Sequence, residues 1–247
     1  MRMWFLNHER SALILGVCVM LMLAFTGFSC SRGDGGPLKE APEPKVDEVQ
    51  NSPVESVQIS DTDERSDGLK TAVLAGGCFW CTEGVFEHLN GVENVVSGYA
   101  GGDKSTANYK LVAAGRTKHA EAIQITYDPK KITYGQLLKI FFTVAHDPTT
   151  LNRQGNDVGP QYRSAIFYEN EQQKEIAEKY IKQLEADKVY GDKRIVTTLE
   201  PLSKDGFYVA ESYHQDYAEN NPDVPYIRYM ALPKIEKLKM KYPQKMK

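Results

Sequence analysis

The folded part of this 247-residue chain is predicted to be a single α+β domain. Strand-like alternation and helix-like periodicity of apolar residues occur in irregular order, without the regular βαβ succession of a parallel α/β fold. The sequence contains no internal repeat and no glycine-rich fingerprint for a phosphate or dinucleotide. These observations together favour one α+β domain.

The first strand and helix are predicted where an apolar run meets two glycines. Residues 71–75 are apolar and end at Gly76-Gly77, which predicts a buried strand closed by a tight turn. A helix then begins at Cys78 and stops at Asn90-Gly91, which supplies a left-handed residue. Its buried face carries Cys78, Cys81, Val85 and Leu89. Glycines 98, 101 and 102 then predict a loop around Tyr99.

An alternating segment and a capped helix come next. Residues 121–127 alternate, which predicts a strand whose apolar face carries Glu121, Ile123, Ile125 and Tyr127. Thr133 and Gln136 predict a capping box at the start of the next helix, which stops at the segment 146–148. The buried face of that helix carries Leu137, Leu138, Phe141, Phe142 and Ala145.

The second half of the domain is predicted to contain a loop, two strands, a helix and a basic tail. Residues 151–161 form the loop, and 164–168 form a strand. Residues 171–188 form an amphipathic helix, and 195–199 form a further strand. The lysines between 234 and 247 predict a solvated basic tail, with a docking surface as the alternative.

The N-terminal third of the chain has a different composition from the rest. Residues 1–30 resemble an export signal, with an uncharged run and then Cys30 in the context of a lipoprotein processing site. An uncleaved membrane anchor is the alternative. Residues 31–68 are too polar to fold and predict a disordered tether, so 69–247 is the predicted folded domain. The expected location is the cell envelope, exported and membrane-anchored.

Charge and cysteine content exclude several classes of protein. The formal net charge is −3, with both signs spread along the chain, which argues against nucleic acid as a partner. Of the four cysteines, only Cys78 and Cys81 fall in the predicted domain. One such pair is too little for a disulfide scaffold and weak for zinc, so a redox pair is favoured.

Two side chains have predicted surroundings that suit catalysis. Cys78 follows a strand and two glycines at a helix N-terminus, where backbone N–H groups and the helix dipole favour a thiolate. The alternative is a small buried cysteine. Glu121 lies on an apolar strand face, which should raise its pKa and suit a proton donor. A buried structural glutamate is its alternative.

Other candidate residues are less specific by themselves. The aromatic rings of Phe79 and Trp80 fit an apolar pocket or ordinary core equally well. Tyr109, Asp157 and Tyr162 lie in loop-like contexts, where either site residues or surface residues occur. A Cys–His protease would need a histidine partner, and the spacing does not choose among His119, His146 and His214.

A resemblance to a known family rests on motifs spread over residues 71–217. The segment Gly76-Gly-Cys-Phe-Trp80 resembles the active-site signature of the A-type peptide methionine sulfoxide reductases. Further segments follow in that family's order: Ser97-Gly-Tyr-Ala-Gly-Gly102, Lys118-His-Ala-Glu121, Tyr127-Asp-Pro129, His146-Asp-Pro148, Asn152-Arg-Gln-Gly-Asn-Asp157, Gln161-Tyr-Arg-Ser164 and Tyr213-His-Gln-Asp-Tyr217. The number and order of these matches exclude coincidence.

The resemblance implies a two-layer sandwich around a mixed sheet, without a metal or organic cofactor. It implies that Cys78 attacks the sulfoxide sulfur of methionine S-sulfoxide, that Glu121 protonates the oxygen, and that Cys81 resolves the resulting sulfenic acid. The implied substrate-binding residues are Phe79, Trp80, Tyr109, Asp157 and Tyr162. The implied partners are oxidised proteins or peptides and an exported thioredoxin-like reductant, and we expect a monomer.

Two positions depart from the family pattern. Many relatives have glycine where Cys81 stands and resolve through cysteines in a C-terminal tail, whereas this chain has no cysteine after Cys81 and resembles a Cys-Phe-Trp-Cys subgroup. Lys118 stands where glycine is common. Two rival functions are a thioredoxin-like oxidoreductase, suggested by the Cys78–Cys81 spacing, and a lipoprotein that only binds a ligand.

Overall fold

The computed structural model describes residues 68–203 and 206–247. The predicted export signal, Cys30 and nearly all of the predicted tether lie outside the described residues. Within the described ranges, no helix combines the length and the apolar character needed to cross a membrane.

Helices and strands alternate irregularly, as the sequence predicts. The strands are β1 (Lys70–Gly76), β2 (Val92–Ala100), β3 (Ala120–Tyr127), β4 (Arg153–Gln154), β5 (Asp157–Val158), β6 (Ser164–Tyr168), β7 (Thr198–Pro201) and β8 (Phe207–Val209). The α-helices are α1 (Phe79–Glu87), α2 (Tyr109–Ala113), α3 (Tyr134–Ile140), α4 (Glu171–Ala186), α5 (Tyr217–Asn220) and α6 (Leu232–Lys241). Two π-helical turns, Phe141–Ala145 and Ile227–Ala231, follow α3 and precede α6.

Six strands form one mixed sheet in the order β7-β6-β1-β3-β2-β8. The β6–β7 pair is parallel and the other pairs are antiparallel. Ala72 and Leu74 of β1 point into the larger core with the helices, whereas Val73 and Ala75 point into a smaller cluster on the opposite face. Both faces of β1 are therefore buried, which explains its continuous apolar sequence.

The turn between β1 and α1 requires a glycine. Gly77 has a φ of +95°, and a Cβ atom there would lie 2.6 Å from Cγ of Gln154. Cys78 follows directly, and its backbone carbonyl accepts hydrogen bonds from the amides of Cys81 at 3.1 Å and Thr82 at 3.3 Å. The turn therefore fixes where helix α1 begins, and with it the position of Cys78.

The predicted loop around Tyr99 is wrong, because this residue lies in β2 and is fully buried. Tyr99 stands opposite Glu121 in the β2–β3 register. Gly98 is in the strand because β8 approaches closely: a Cβ atom there would lie 2.4 Å from the Phe207 ring and 2.5 Å from the carbonyl oxygen of Tyr208. This glycine marks a close backbone approach instead of a turn.

The predicted basic tail is also wrong. Residues 232–241 form α6, and the side chains of Ile235 and Leu238 are buried. The helix packs against α1, and its Lys237 and Lys239 side chains are exposed. The strand predicted at 195–199 begins later, as β7 at Thr198. The amide of Val196 donates to the carbonyl of Pro148, so this part of the chain does not pair with the sheet.

The predicted loop at 151–161 contains the short antiparallel pair β4–β5, and the remaining predicted strands and helices agree with the structure. The strands at 71–75, 121–127 and 164–168 are β1, β3 and β6. The capping box is formed in both directions between Thr133 and Gln136. The predicted 171–188 helix ends two residues early, as α4.

Candidate active site

Two free thiols lie in the first turn of α1. Cys78 is the residue before the helix and is 6% exposed, and Cys81 is one turn later and 2% exposed. The hydrogen bond from the Cys81 amide to the Cys78 carbonyl holds both residues in one helical turn. Side chains three apart on a helix are neighbours, so a disulfide needs only a small local adjustment.

Glu121 of β3 faces the start of the same helix. Its carboxyl oxygen Oε2 accepts a hydrogen bond of 3.1 Å from the backbone amide of Phe79, and its side chain is 2% exposed. Burial raises the pKa of Glu121 to about 8. At pH 7 this residue is therefore mainly a neutral acid that can donate a proton.

The prediction of a favoured thiolate at Cys78 is wrong. Its position at the helix N-terminus is as predicted, yet burial raises the pKa of Cys78 well above its usual value. Its hydrogen bond to Cys81 and the negative charge that Glu121 carries when ionised act in the same direction. The backbone amide of Phe79, the first of the helix, donates its hydrogen bond to Glu121 and not to the Cys78 sulfur. The Cys78 thiol is therefore neutral at rest, and its bond to the Cys81 sulfur lowers the pKa of Cys81.

Two phenol groups approach the same centre. Tyr109 is the first residue of α2, and Tyr162 lies in the 3-10 turn Pro160–Tyr162. Burial is the largest cause that raises the pKa of both phenols. The negative charges that Glu121 and Cys78 carry when ionised raise it further, because both groups lie close by. Neither hydroxyl has a hydrogen-bond partner within the described residues. Both can therefore donate to an oxygen atom that is bound beside Glu121.

Two aromatic residues follow Cys78 directly at the start of α1. Phe79 is 1% exposed and lies 5.0 Å from the ring of His214, centroid to centroid. Trp80 is half-buried and stacks on Tyr217 at 4.0 Å with an interplanar angle of 15°. Phe79 therefore belongs to the core, while Trp80 keeps part of its surface free for an apolar group of a ligand.

Asp157 contacts a tyrosine that the sequence did not single out. Its Oδ2 atom accepts a 2.6 Å hydrogen bond from the hydroxyl of Tyr226. A cavity of about 250 Å³ opens beside the sulfurs, lined by Cys78, Cys81, Asp157, Met230, Pro233 and Lys234 among others.

Glu211 is a second residue that sequence reasoning missed. Its two carboxyl oxygens accept hydrogen bonds from the Tyr99 hydroxyl at 2.8 Å and from the Tyr109 amide at 2.9 Å. It therefore ties the start of α2 to the sheet and fixes the Tyr109 side chain near Glu121. The family-like segment Tyr213–Tyr217 lies close to Glu211 in sequence and could have drawn attention to it. The segment itself does not include Glu211 or Tyr226.

The histidines do not form a protease dyad with Cys78. His146 shares hydrogen bonds with the carbonyl of Phe141 and the hydroxyl of Ser164, and burial lowers its pKa to about 3. His119 contacts the carbonyl of Asp103 at 3.0 Å. His214 packs between aromatic rings and lies 3.9 Å from Glu211. Each of these contacts is structural.

One acidic cluster in the described part of the chain has the spacing of a metal site. The carboxylates of Glu83, Glu87 and Asp216 lie within 4.8 Å of one another. Burial raises the pKa of Glu83 to about 7 and that of Glu87 to about 8. Protons therefore relieve the repulsion in this cluster near neutral pH, and its chemistry does not require a cation.

The fold and the site together define a class of enzyme. A buried thiol beside a neutral carboxylic acid, with a second thiol one turn away and free phenol hydroxyls nearby, is suited to reducing a polarised oxygen compound by thiol chemistry. The α+β domain has this site at the start of its first helix.

Comparisons with known proteins identify the family. The family model described as peptide methionine sulfoxide reductase matches residues 70–246. The chain is 56% identical to peptide methionine sulfoxide reductase MsrA 2 of Mesorhizobium japonicum, over 71% of this chain and 89% of that protein. It is 49% identical to MsrA 2 of a Synechocystis strain, over 77% of this chain and 88% of that protein.

Two solved structures are similar. Methionine sulfoxide reductase A of Corynebacterium diphtheriae has a TM-score of 0.54 and 36% identity, covering 64% of this chain and 77% of that one. Reduced Mxr1 of Saccharomyces cerevisiae has a TM-score of 0.56 and 40% identity, covering 63% and 87%. The chain belongs to the peptide methionine sulfoxide reductase family, A type. It is an oxidoreductase that converts methionine S-sulfoxide into methionine, and the two rival functions are not supported.

Proposed function

We propose that Cys78 is the nucleophile and Glu121 the general acid of this reduction. The observation that carries the proposal is the arrangement of the two groups: Glu121 binds the first amide of α1, directly beside Cys78, and carries a proton at neutral pH. Sulfoxide oxygen is a poor leaving group until it is protonated. A sulfur nucleophile and a proton donor on one centre meet both requirements of the reaction.

The substrate is held by the groups around these two residues. The hydroxyls of Tyr109 and Tyr162 donate to the sulfoxide oxygen, and the free face of Trp80, next to Phe79, contacts the methyl group. Asp157 acts indirectly, because its carboxylate holds the Tyr226 hydroxyl. Fixing the oxygen, the methyl group and the sulfur at three places selects one epimer of the sulfoxide.

The first half-reaction moves one oxygen atom. The Cys78 thiolate attacks the substrate sulfur and forms a sulfur–sulfur bond while Glu121 protonates the oxygen. The protonated oxygen then passes to the Cys78 sulfur as the substrate's sulfur–oxygen bond and the new sulfur–sulfur bond break, which leaves methionine and Cys78 sulfenic acid. Cys81 then attacks the Cys78 sulfur, so that a sulfur–sulfur bond forms, the sulfur–oxygen bond breaks, and the oxygen leaves as water. Two electrons from an external dithiol reduce this disulfide to close the cycle.

Two variants separate these roles because both remove a buried thiol from the same helical turn. Cys78→Ser should abolish methionine formation, since a hydroxyl has a much higher pKa than a thiol. Cys81→Ser should still form one equivalent of methionine in a single turnover and then stop with thioredoxin as reductant. Turnover by Cys78→Ser within about tenfold of the wild type would move the nucleophile elsewhere.

The donor and the location are further parts of the proposal. An oxidised Cys78–Cys81 pair suits a thioredoxin-like protein, and the signal-like residues 1–30 suggest export with a lipid on Cys30. The donor would then also be exported, and the substrates would be oxidised envelope proteins. We expect this protein to act as a monomer. Intact-mass analysis of the membrane fraction tests the anchor: a lipidated Cys30 at the mature N-terminus is expected, and an unmodified Cys30 in a chain retaining Met1 contradicts it.

A further inference from the structure

The cavity beside the two cysteines is not used by the proposed attack on the sulfoxide. Its volume is about 250 Å³, and both Cys78 and Cys81 line it. The proton donor Glu121 and the phenols of Tyr109 and Tyr162 are not among its lining residues. A sulfoxide bound there would contact the sulfurs without the groups that protonate its oxygen. The cavity therefore suits a reactant that needs the sulfurs but no proton donor of this kind.

Reduction of the Cys78–Cys81 disulfide has these requirements. A thiolate of the donor attacks one of the two sulfurs, the sulfur–sulfur bond breaks, and the other cysteine leaves as a thiolate that takes up the donor's proton. The donor's second thiol then attacks the mixed disulfide, so the donor is oxidised and the enzyme regains two thiols. Cys78 is 6% exposed and Cys81 is 2% exposed. A donor protein can therefore reach them only by contacting the surface around the cavity.

That surface is largely apolar and partly exposed. Tyr229 lines the cavity and is 79% exposed, and Met230 and Pro233 line it as well. The tip of the β4–β5 hairpin meets these residues, because a Cβ atom on Gly155 would lie 3.0 Å from Cε of Met230. An aromatic ring with this exposure contributes little to the protein's own core, whereas tyrosine and methionine are enriched at protein–protein interfaces. We call these four residues the cavity rim.

The charges in the same cavity suit a thiolate. Lys234 lines it together with both cysteines. The hydrogen bond with Cys78 is the largest cause that lowers the pKa of Cys81, and the positive charge of Lys234 lowers it further. Asp157 also lines the cavity, but its carboxylate accepts the 2.6 Å hydrogen bond from Tyr226. Both the attacking and the leaving sulfur are thiolates, so a cation beside them favours the exchange.

We propose that the cavity rim is the docking surface for the dithiol protein that reduces the Cys78–Cys81 disulfide. The donor covers the exposed ring of Tyr229 and places its thiolate in the cavity beside Lys234. Sulfoxide and donor then reach the same sulfur pair from different surroundings. The inference rests on the proposed function, in which this disulfide is the species that the donor reduces.

The test compares a protein reductant with a small one on the full-length enzyme. Turnover of methionine S-sulfoxide is measured with thioredoxin, kept reduced by thioredoxin reductase and NADPH, and separately with dithiothreitol. Tyr229→Ala should lower kcat/KM for thioredoxin by about 5-fold to 30-fold, the loss expected when an aromatic interface residue is truncated. Turnover with dithiothreitol should not change, because a small thiol needs no docking surface.

Two variants serve as controls. Tyr229→Phe keeps the ring, and Met240→Ala removes a side chain of α6 that is 77% exposed and does not line the cavity. Both should keep the kcat/KM of the wild type for thioredoxin. An unchanged value in Tyr229→Ala, or an equal loss with dithiothreitol, overturns the docking surface. If the wild type turns over with dithiothreitol but not with thioredoxin, the proposed recycling fails, and the docking surface fails with it.

A second measurement does not depend on rates. Thioredoxin that lacks its second cysteine is trapped on the oxidised enzyme as a mixed disulfide, and hydrogen–deuterium exchange of the complex is compared with that of the free enzyme. Protection is expected in residues 153–158 and 227–234, which contain the cavity rim. Protection confined to 109–113 and 211–217 would place the donor elsewhere and overturn the proposal.

Discussion

Replacing Glu121 with glutamine should separate catalysis from stability. The glutamine carbonyl can still accept the hydrogen bond from the Phe79 amide, so the start of α1 is kept. The variant cannot donate an acidic proton, and the loss of a positioned general acid lowers rates by about 100-fold to 10,000-fold. We therefore expect methionine formation to fall by at least about 100-fold at pH 7.

The pH profile of the wild type gives the second part of this prediction. With a pKa of about 8, roughly nine-tenths of Glu121 side chains are protonated at pH 7 and roughly one-tenth at pH 9. The first-turnover rate should therefore rise with pH as the Cys78 thiolate forms and level off above pH 8, where the loss of protonated Glu121 offsets that gain. In Glu121→Gln, the small remaining rate should continue to rise above pH 8.

Glu121→Gln should lower activity but raise the free energy of unfolding at pH 8. Burial raises the folded-state pKa of Glu121 to about 8, whereas an unfolded glutamate titrates near about 4.3. The folded state therefore binds more protons between these values, and this group lowers the free energy of unfolding by up to about 1.4 kcal/mol per pH unit as the pH rises. Glu121→Gln lacks this loss, so it should be the more stable protein at pH 8. Equal activity, or lower activity together with lower stability at pH 8, would refute the reasoning.

Three further results are expected. Racemic methionine sulfoxide should lose only its S epimer, and chiral chromatography showing equal loss of both epimers would contradict the three-point pocket. Tyr109→Phe and Tyr162→Phe should each lower kcat/KM by about 10-fold to 100-fold, and an unchanged kcat/KM in both variants would contradict their contact with the sulfoxide oxygen. Gly77→Ala should lower the free energy of unfolding by about 1–3 kcal/mol more than Gly191→Ala, because both glycines have positive φ but only Gly77 lacks space.

The part of the site that is local in sequence could be predicted from the sequence. The strand, the two glycines and Cys78 are consecutive, so the thiol at a helix N-terminus followed from spacing alone. The alternating pattern of β3 placed Glu121 on an apolar face, and the structure buries it there. The pKa of Cys78 was not predictable in this way, because the helix start favours the thiolate while burial opposes it. The balance depends on tertiary packing.

The parts that were missed depend on contacts between distant segments. Tyr226 reaches Asp157 across 69 residues of sequence, and Glu211 reaches Tyr109 across 102 residues. Local patterns contain no information about such pairs. Gly98 suggested a loop because its partner, the closely packed β8, is more than 100 residues away. The basic composition of α6 concealed a helix whose apolar residues are few but regularly spaced.

Trapping the sulfenic acid tests the central claim most directly. Cys81→Ser protein is mixed with one equivalent of methionine S-sulfoxide and dimedone, and peptide mass spectrometry locates the adduct while methionine is quantified. If Cys78 is the nucleophile, the methionine released should match the dimedone adduct on Cys78, mole for mole. Methionine released without an adduct on Cys78, or with the adduct on another residue, would contradict the assignment.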